Sequence, residues 1–131
     1  MFIQNLENFP IIPVSFLPAD AVSVSETIAI YESLLSRKET FVFLSEGAFP
    51  AQKADHEARK QVAAWVKSKR EILAQYVKAF IHIEPDADIR LETQKFANNF
   101  IKFSGYPMFI VDNHQQANKI IDAVLRRKMG E

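Results

Sequence analysis

The chain has 131 residues, no cysteine, and 16 basic against 16 acidic side chains. That length suits one α/β domain over residues 1–131, burying roughly two-thirds of its unfolded surface without a covalent staple. The missing cysteines exclude disulfides, thiolate zinc sites and a cysteine nucleophile, and the charge balance supplies no global field for nucleic acid.

The first extended segment is Ile11-Ile12-Pro13-Val14-Ser15-Phe16. Pro13 removes a ladder donor, which predicts an edge or irregular strand, and Pro18 ends it. The residues before it are expected to form an arm or a weak first strand. Ser23-Val24-Ser25-Glu26 has the capping-box pattern, so a helix starts there. Its apolar face is Val24, Ile28, Tyr31, Leu34 and Leu35, with Arg37 and Lys38 at the negative end of its dipole.

Phe41-Val42-Phe43-Leu44 is a continuous apolar run of β-formers, the pattern of a central strand buried on both faces. A loop from Ser45 to Pro50 follows. Asp55 is the expected N-cap of the longest helix, about Glu57 to Val77. Its stripe is Val62, Trp65, Val66, Ile72, Leu73, Tyr76 and Val77, wide enough to lie across a sheet.

Ala79-Phe80-Ile81-His82-Ile83 is the next strand, stopped by Pro85. Asp86 or Asp88 caps a third helix running to about Ser104, with Gly105 as its stop. Phe96, Phe100 and Phe103 share one of its faces. Pro107 to Val111 is the last strand. Asn113-His114-Gln115-Gln116 opens the final helix, whose apolar side is Ala117, Ile120, Ile121, Val124 and Leu125. Arg126, Arg127 and Lys128 close it.

Strands and helices therefore alternate, which implies long right-handed crossovers between parallel neighbours. The expected fold class is α/β: a single mostly parallel sheet of four to five strands, a mixed sheet left open, with four helices packed on it. No linker or internal repeat divides the chain. No apolar run is long enough for a membrane span. The opening residues Met1 to Glu7 lack the features of a secretory signal, so a cytoplasmic location is expected.

The pattern over residues 11–128, with Phe41–Leu44, Phe80–Ile83 and Met108–Val111 as successive inner strands, resembles the STAS-like (SpoIIAA-like) group. These are small bacterial domains related to anti-sigma-factor antagonists. In the antagonists an Asp-Ser pair at a strand-to-helix turn carries a phosphorylatable serine. The comparable turn here, Glu84-Pro85-Asp86-Ala87-Asp88, has none. The resemblance thus implies a regulatory or binding module without catalysis and without a phospho-switch, acting on another protein.

A parallel sheet binds ligands outside the carboxyl ends of its strands. Ser45, Glu46, Glu84, Asp86, Asp112 and His114 are the candidates at that rim, suited to a small ligand or to acid–base work. The competing reading is that Asp86, Asp88, Asp112 and Asn113 cap helices. His82, between Ile81 and Ile83, reads as a hydrogen-bonded sheet residue. His56 and His114 open helices, and no two histidines have the helical zinc spacing. Gly47, Gly105 and Gly130 are too dispersed for a phosphate loop, and no nucleophile elbow occurs. No cofactor is expected.

Arg59, Lys60, Lys67, Lys69 and Arg70 read as a solvated helix face. The edge near Pro13, or the Phe96/Phe100/Phe103 side, can support a homodimer, although core packing also claims those rings. Three functions follow: a non-enzymatic interaction module, a small-molecule-binding domain or small enzyme at the rim, and a toxin-neutralising immunity protein.

Overall fold

The computed structural model describes residues 2–15, 22–47 and 56–125. Phe16, Pro18, Pro50, Asp55, Gly130 and the basic run Arg126 to Lys128 lie outside them, as do the side chains of His56 and Arg59. In chain order the elements are β1 (Phe2–Ile3), β2 (Ile11–Ser15), α1 (Val24–Ser36), β3 (Phe41–Glu46), α2 (His56–Ser68), α3 (Arg70–Tyr76), β4 (Val77–Ile83), α4 (Ala87–Ser104), β5 (Met108–Val111) and α5 (His114–Val124).

The sheet order is β1-β2-β3-β4-β5. β2 to β5 are parallel, and β1 pairs antiparallel with β2. The fold is therefore α/β with a mostly parallel sheet. Each crossover steps to the next strand in one direction, and crossings of one hand then place their helices on one face. The core confirms this. One cluster unites Tyr31, Leu34 and Leu35 of α1, Val66 of α2, Leu73 of α3 and Ala97 of α4 with Ile12, Phe41, Phe43, Phe80 and Met108 of the sheet. Among the described residues only α5 covers the other face, through Ala117 and Ile121 on Val42, Ala79, Ile81, Ile83 and Val111.

Phe41, Phe43 and Phe80 are almost fully buried, each contributing about 1.5–3 kcal/mol by leaving water. Phe43 stands among Phe41, Tyr31, Phe80 and Tyr106, with ring centroids 5.4–6.1 Å apart. Phe9 and Phe100 pack against this cluster and Phe109 against the other face, whereas Phe96 and Phe103 are exposed.

Four expectations are revised. Pro13 is not at an edge, because β1 covers β2. Its carbonyl accepts from Gln4 N at 3.0 Å, so its nitrogen also faces β1. The reciprocal donor is missing there, and β1 ends after two residues. The long helix is broken at Lys69, which gives five helices where four were expected. The Ser68 hydroxyl donates to Trp65 O at 2.7 Å, while Lys69 N is shared between Trp65 O and Val66 O. Such back-bonding competes with the regular ladder, and Ile72 beyond the break is exposed. β4 starts at Val77, two residues early. A bulge between the Phe41 and Val42 pairings passes over Lys78, so that Val77 and Phe80 share a face. Finally β5 is an edge strand, not an inner one.

Candidate functional site

The carboxyl ends of β3, β4 and β5 are adjacent because the three strands are parallel neighbours. α4 and α5 leave this rim toward opposite faces. The six candidates do share one edge of the molecule, but they do not converge on one point.

Ser45 and Glu46 are consecutive in β3, so they point to opposite faces. Ser45 is buried beneath the α1–α4 layer and lies beside His82 in register. Its Oγ is 2.6 Å from His82 Nδ1. His82 is 1 % exposed. Burial lowers its pKa, opposed by a hydrogen bond to the Gly47 backbone and by the nearby carboxylates of Glu84 and Glu46. A neutral imidazole bonded to a carbonyl through one nitrogen accepts through the other. The Ser45 hydroxyl accordingly donates to Nδ1. His82 is the hydrogen-bonded sheet residue its sequence position suggests, and it ties down the turn after β3. Gly47 N also donates to Ile83 O at 3.1 Å, and Gly47 has φ 93°, a conformation that favours glycine.

Glu46 emerges on the α5 face, where its Oε2 lies 3.1 Å from His114 Nε2. Both side chains are about two-thirds exposed, at 64 % and 65 %, so the contact is solvent-screened. Glu84 is buried; its Oε1 accepts from Asp86 N at 3.0 Å. Arg90 Nη1 donates to the Glu84 and Pro85 carbonyls. Asp86 is the N-cap of α4, accepting from Asp88 N at 2.9 Å and Ile89 N at 3.1 Å. Asn113 caps α5 by accepting from Gln116 N at 2.8 Å. Asp112 accepts from the Asn113 amide, and its own N–H meets Gln116 Oε1.

The rim thus resolves into one buried pair, one exposed pair and a set of caps. The capping reading holds for Asp86 and Asn113, but not for Asp88, whose backbone donates to Asp86. Among the described residues, no group of three or more His, Cys, Asp or Glu is placed to hold a metal ion.

A second surface is more distinctive. α4 turns Thr93, Ala97 and Ser104 toward the sheet. These are small because Phe80, Phe43 and Tyr106 already fill the space from below. Phe100 packs partly into that cluster, 5.7 Å from Phe80 and 5.3 Å from Tyr106. Leu91 and Ile101, on other sides of the helix, are 68 % and 45 % exposed. Phe96 lies against Phe100 with ring centroids 5.8 Å apart yet is 55 % exposed, Phe103 is 43 % exposed and Ile89 is 40 % exposed. These three are seven residues apart, so they form one stripe along the helix. The C-terminal end of α4 meets α3, where Arg70 donates to the carbonyls of Ile101 and Lys102. α4 is the last helix on its face, and the flank turned from α3 looks out past the β5 edge.

That edge is open. Phe80 N donates to Pro107 O and Glu84 N to Val111 O, so residues 107, 109 and 111 face β4. By alternation Met108 and Ile110 turn their backbone groups outward. The strand is short, but it carries no charge, internal proline or bulge to discourage pairing. Sequence reasoning had found the Phe96 and Phe103 side but missed Ile89. The seven-residue spacing was the available signal.

The described residues form a singly wound α/β arrangement with an exposed apolar stripe on the outer flank of α4. No family model matches the chain, and no curated protein or solved structure matches it either. No helix among the described residues is long and apolar enough to cross a membrane.

Proposed function

We propose that the protein is a non-enzymatic interaction module that binds another protein chain through the outer flank of α4, beside the open edge of β5. The single observation carrying this reading is the exposure of Ile89, Phe96 and Phe103 as one stripe on α4, a helix that also exposes Leu91 and Ile101 on its other sides. Scattered exposed apolar residues are ordinary, whereas an aligned stripe beside an unpaired strand marks a surface made to be covered. The STAS-like resemblance supports the same reading. The β4–α4 turn carries carboxylates committed to hydrogen bonds and no serine, which accords with a module lacking a phospho-switch.

The test is recovery of a stoichiometric partner by the tagged chain from its native cells. It is repeated with Ile89→Ser, Phe96→Ser and Phe103→Ser combined. The partner is expected with the parent chain and lost with the folded triple variant. Equal recovery by both removes the α4 flank from the function.

A second reading, a small-molecule site at the rim, is favoured by the Ser45–His82 pair at the carboxyl end of the sheet. It ranks lower because Ser45 is buried and the rim side chains are mostly engaged with one another or with backbone. Replacing Glu46 and His114 distinguishes it: ligand binding that disappears without unfolding would favour the rim.

A further inference from the structure

We infer that Ser45, His82 and Gly47 form a proton-operated latch: a proton taken up by the His82 ring frees the end of β3 while the rest of the sheet stays folded. The latch lies at the rim, away from the α4 flank, and stands or falls independently of the interaction reading.

The geometry is that of a tie across two strand ends. Ser45 and His82 are register partners, with Ser45 Oγ 2.6 Å from His82 Nδ1. The ring also bonds to the Gly47 backbone, and Gly47 N donates to Ile83 O at 3.1 Å. Beyond the tie the end of β3 is weakly held. The pairing of β2 on β3 runs only from Ile11↔Val42 to Pro13↔Leu44, so Ser45 and Glu46 have a strand partner on one side. His82 has partners on both, Ser45 and Ile110. Glu46 and Gly47 are exposed. A strand end paired on one side opens at lower cost than the centre of a sheet. Ser45 and His82 are themselves buried, so water reaches the ring when this end opens.

Proton binding must then favour the open form. In water an imidazole titrates near about 6.5, whereas burial in the closed form works against its charge. The charged groups facing the ring are the carboxylates of Glu84 and Glu46, and burial outweighs their attraction. Glu84 Oε1 accepts from Asp86 N, and Glu46 Oε2 meets His114 Nε2. From α4, Arg90 reaches the Glu84 carbonyl and Asp86 is engaged in its cap. Among the described residues, α1, α2 and α3 bury only Thr27, Tyr31, Leu34, Leu35, Val66 and Leu73, none of them charged near neutral pH. Acidification therefore shifts the balance toward a rim with the Ser45 hydroxyl and the imidazole uncovered.

The experiment is native-state amide hydrogen exchange on the full chain, read by NMR and normalised to intrinsic rates. The Gly47 amide, bonded to Ile83 O, is compared with the Phe80 amide, bonded to Pro107 O. From about pH 7.5 to pH 5.5 the opening at Gly47 should rise by up to about tenfold. It should stay insensitive to low urea and faster than at Phe80, which marks it as local. The His82 ring signals should titrate below about 6.5, where the rise at Gly47 levels off. In His82→Gln the rise should vanish. Gly47 exchange that is independent of pH, or that matches Phe80 in rate and urea dependence, overturns the latch. So does a ring titrating at about 6.5 or above, a result read on the parent chain whether or not the variant folds.

Discussion

Ser45→Ala is a direct probe of the buried pair that holds the β3 turn. The Ser45 hydroxyl meets His82 Nδ1 at 2.6 Å, and His82 is almost wholly buried. Removing the hydroxyl takes away the hydrogen bond that the buried Nδ1 receives from Ser45, which costs about 1–3 kcal/mol. The loss must depend on pH. His82 has a lowered pKa in the fold, whereas in the unfolded chain it titrates near about 6.5. The unfolded state therefore binds the proton first. Stability from a neutral His82 is fully present above the unfolded value. It is lost as pH falls toward the folded one, with a slope approaching about 1.4 kcal/mol per pH unit. Ser45→Ala removes a hydrogen bond to the neutral ring, so the folded pKa rises and the variant has less to lose. Urea melts of both chains between about pH 8 and pH 5 should show the largest gap at the alkaline end and convergence on acidification. A gap that stays constant or widens as pH falls would refute the donor assignment and the neutral state of His82.

Three further outcomes follow from the packing. Gly105→Ala places a Cβ 3.0 Å from the Arg70 carbonyl oxygen at φ 90°, so thermal melts should show a loss larger than the about 1–2 kcal/mol of left-handed strain alone. Asp86→Ala removes both side-chain hydrogen bonds at the start of α4 and should cost about 0.5–2 kcal/mol in chemical denaturation. Phe100→Ala should cost several kcal/mol, up to about 3–5 for a fully buried ring, whereas Phe103→Ser should stay within about 1 kcal/mol in the same assay. Equal losses would mean that the two rings are not divided between core and surface.

Much of the fold can be read directly from local chemistry. Ser23, Asn113 and Gly105 act where their residue types suggest, because caps depend on a few neighbouring backbone groups. The run Phe41–Leu44 identifies a central strand, because burial on both faces leaves no polar position. The break at Lys69 is not legible, because it turns on one serine hydroxyl competing for a carbonyl inside an otherwise regular stripe. The edge position of β5 is equally hidden, since Met108 to Val111 is as apolar as an inner strand. At the rim, sequence order correctly assembled the strand ends. It read Ser45 and Glu46 as loop residues, whereas β3 runs on through Glu46 and strand alternation turns the two to opposite faces of the sheet. On α4, the shared face of Phe96, Phe100 and Phe103 was plain in the spacing. Which of them the core excludes depends on Phe80 and Tyr106, which approach from other elements.

Site-specific photo-crosslinking in the native cell offers the sharpest trial of the α4 flank. A photoreactive side chain is placed at Phe103, and in a separate chain at Lys119 on α5, an exposed position on the opposite face. Efficient adduct formation with a protein chain from position 103, and not from 119, is the predicted result. Silence at 103 in a folded chain, or equal labelling at both positions, would contradict the assignment of this surface.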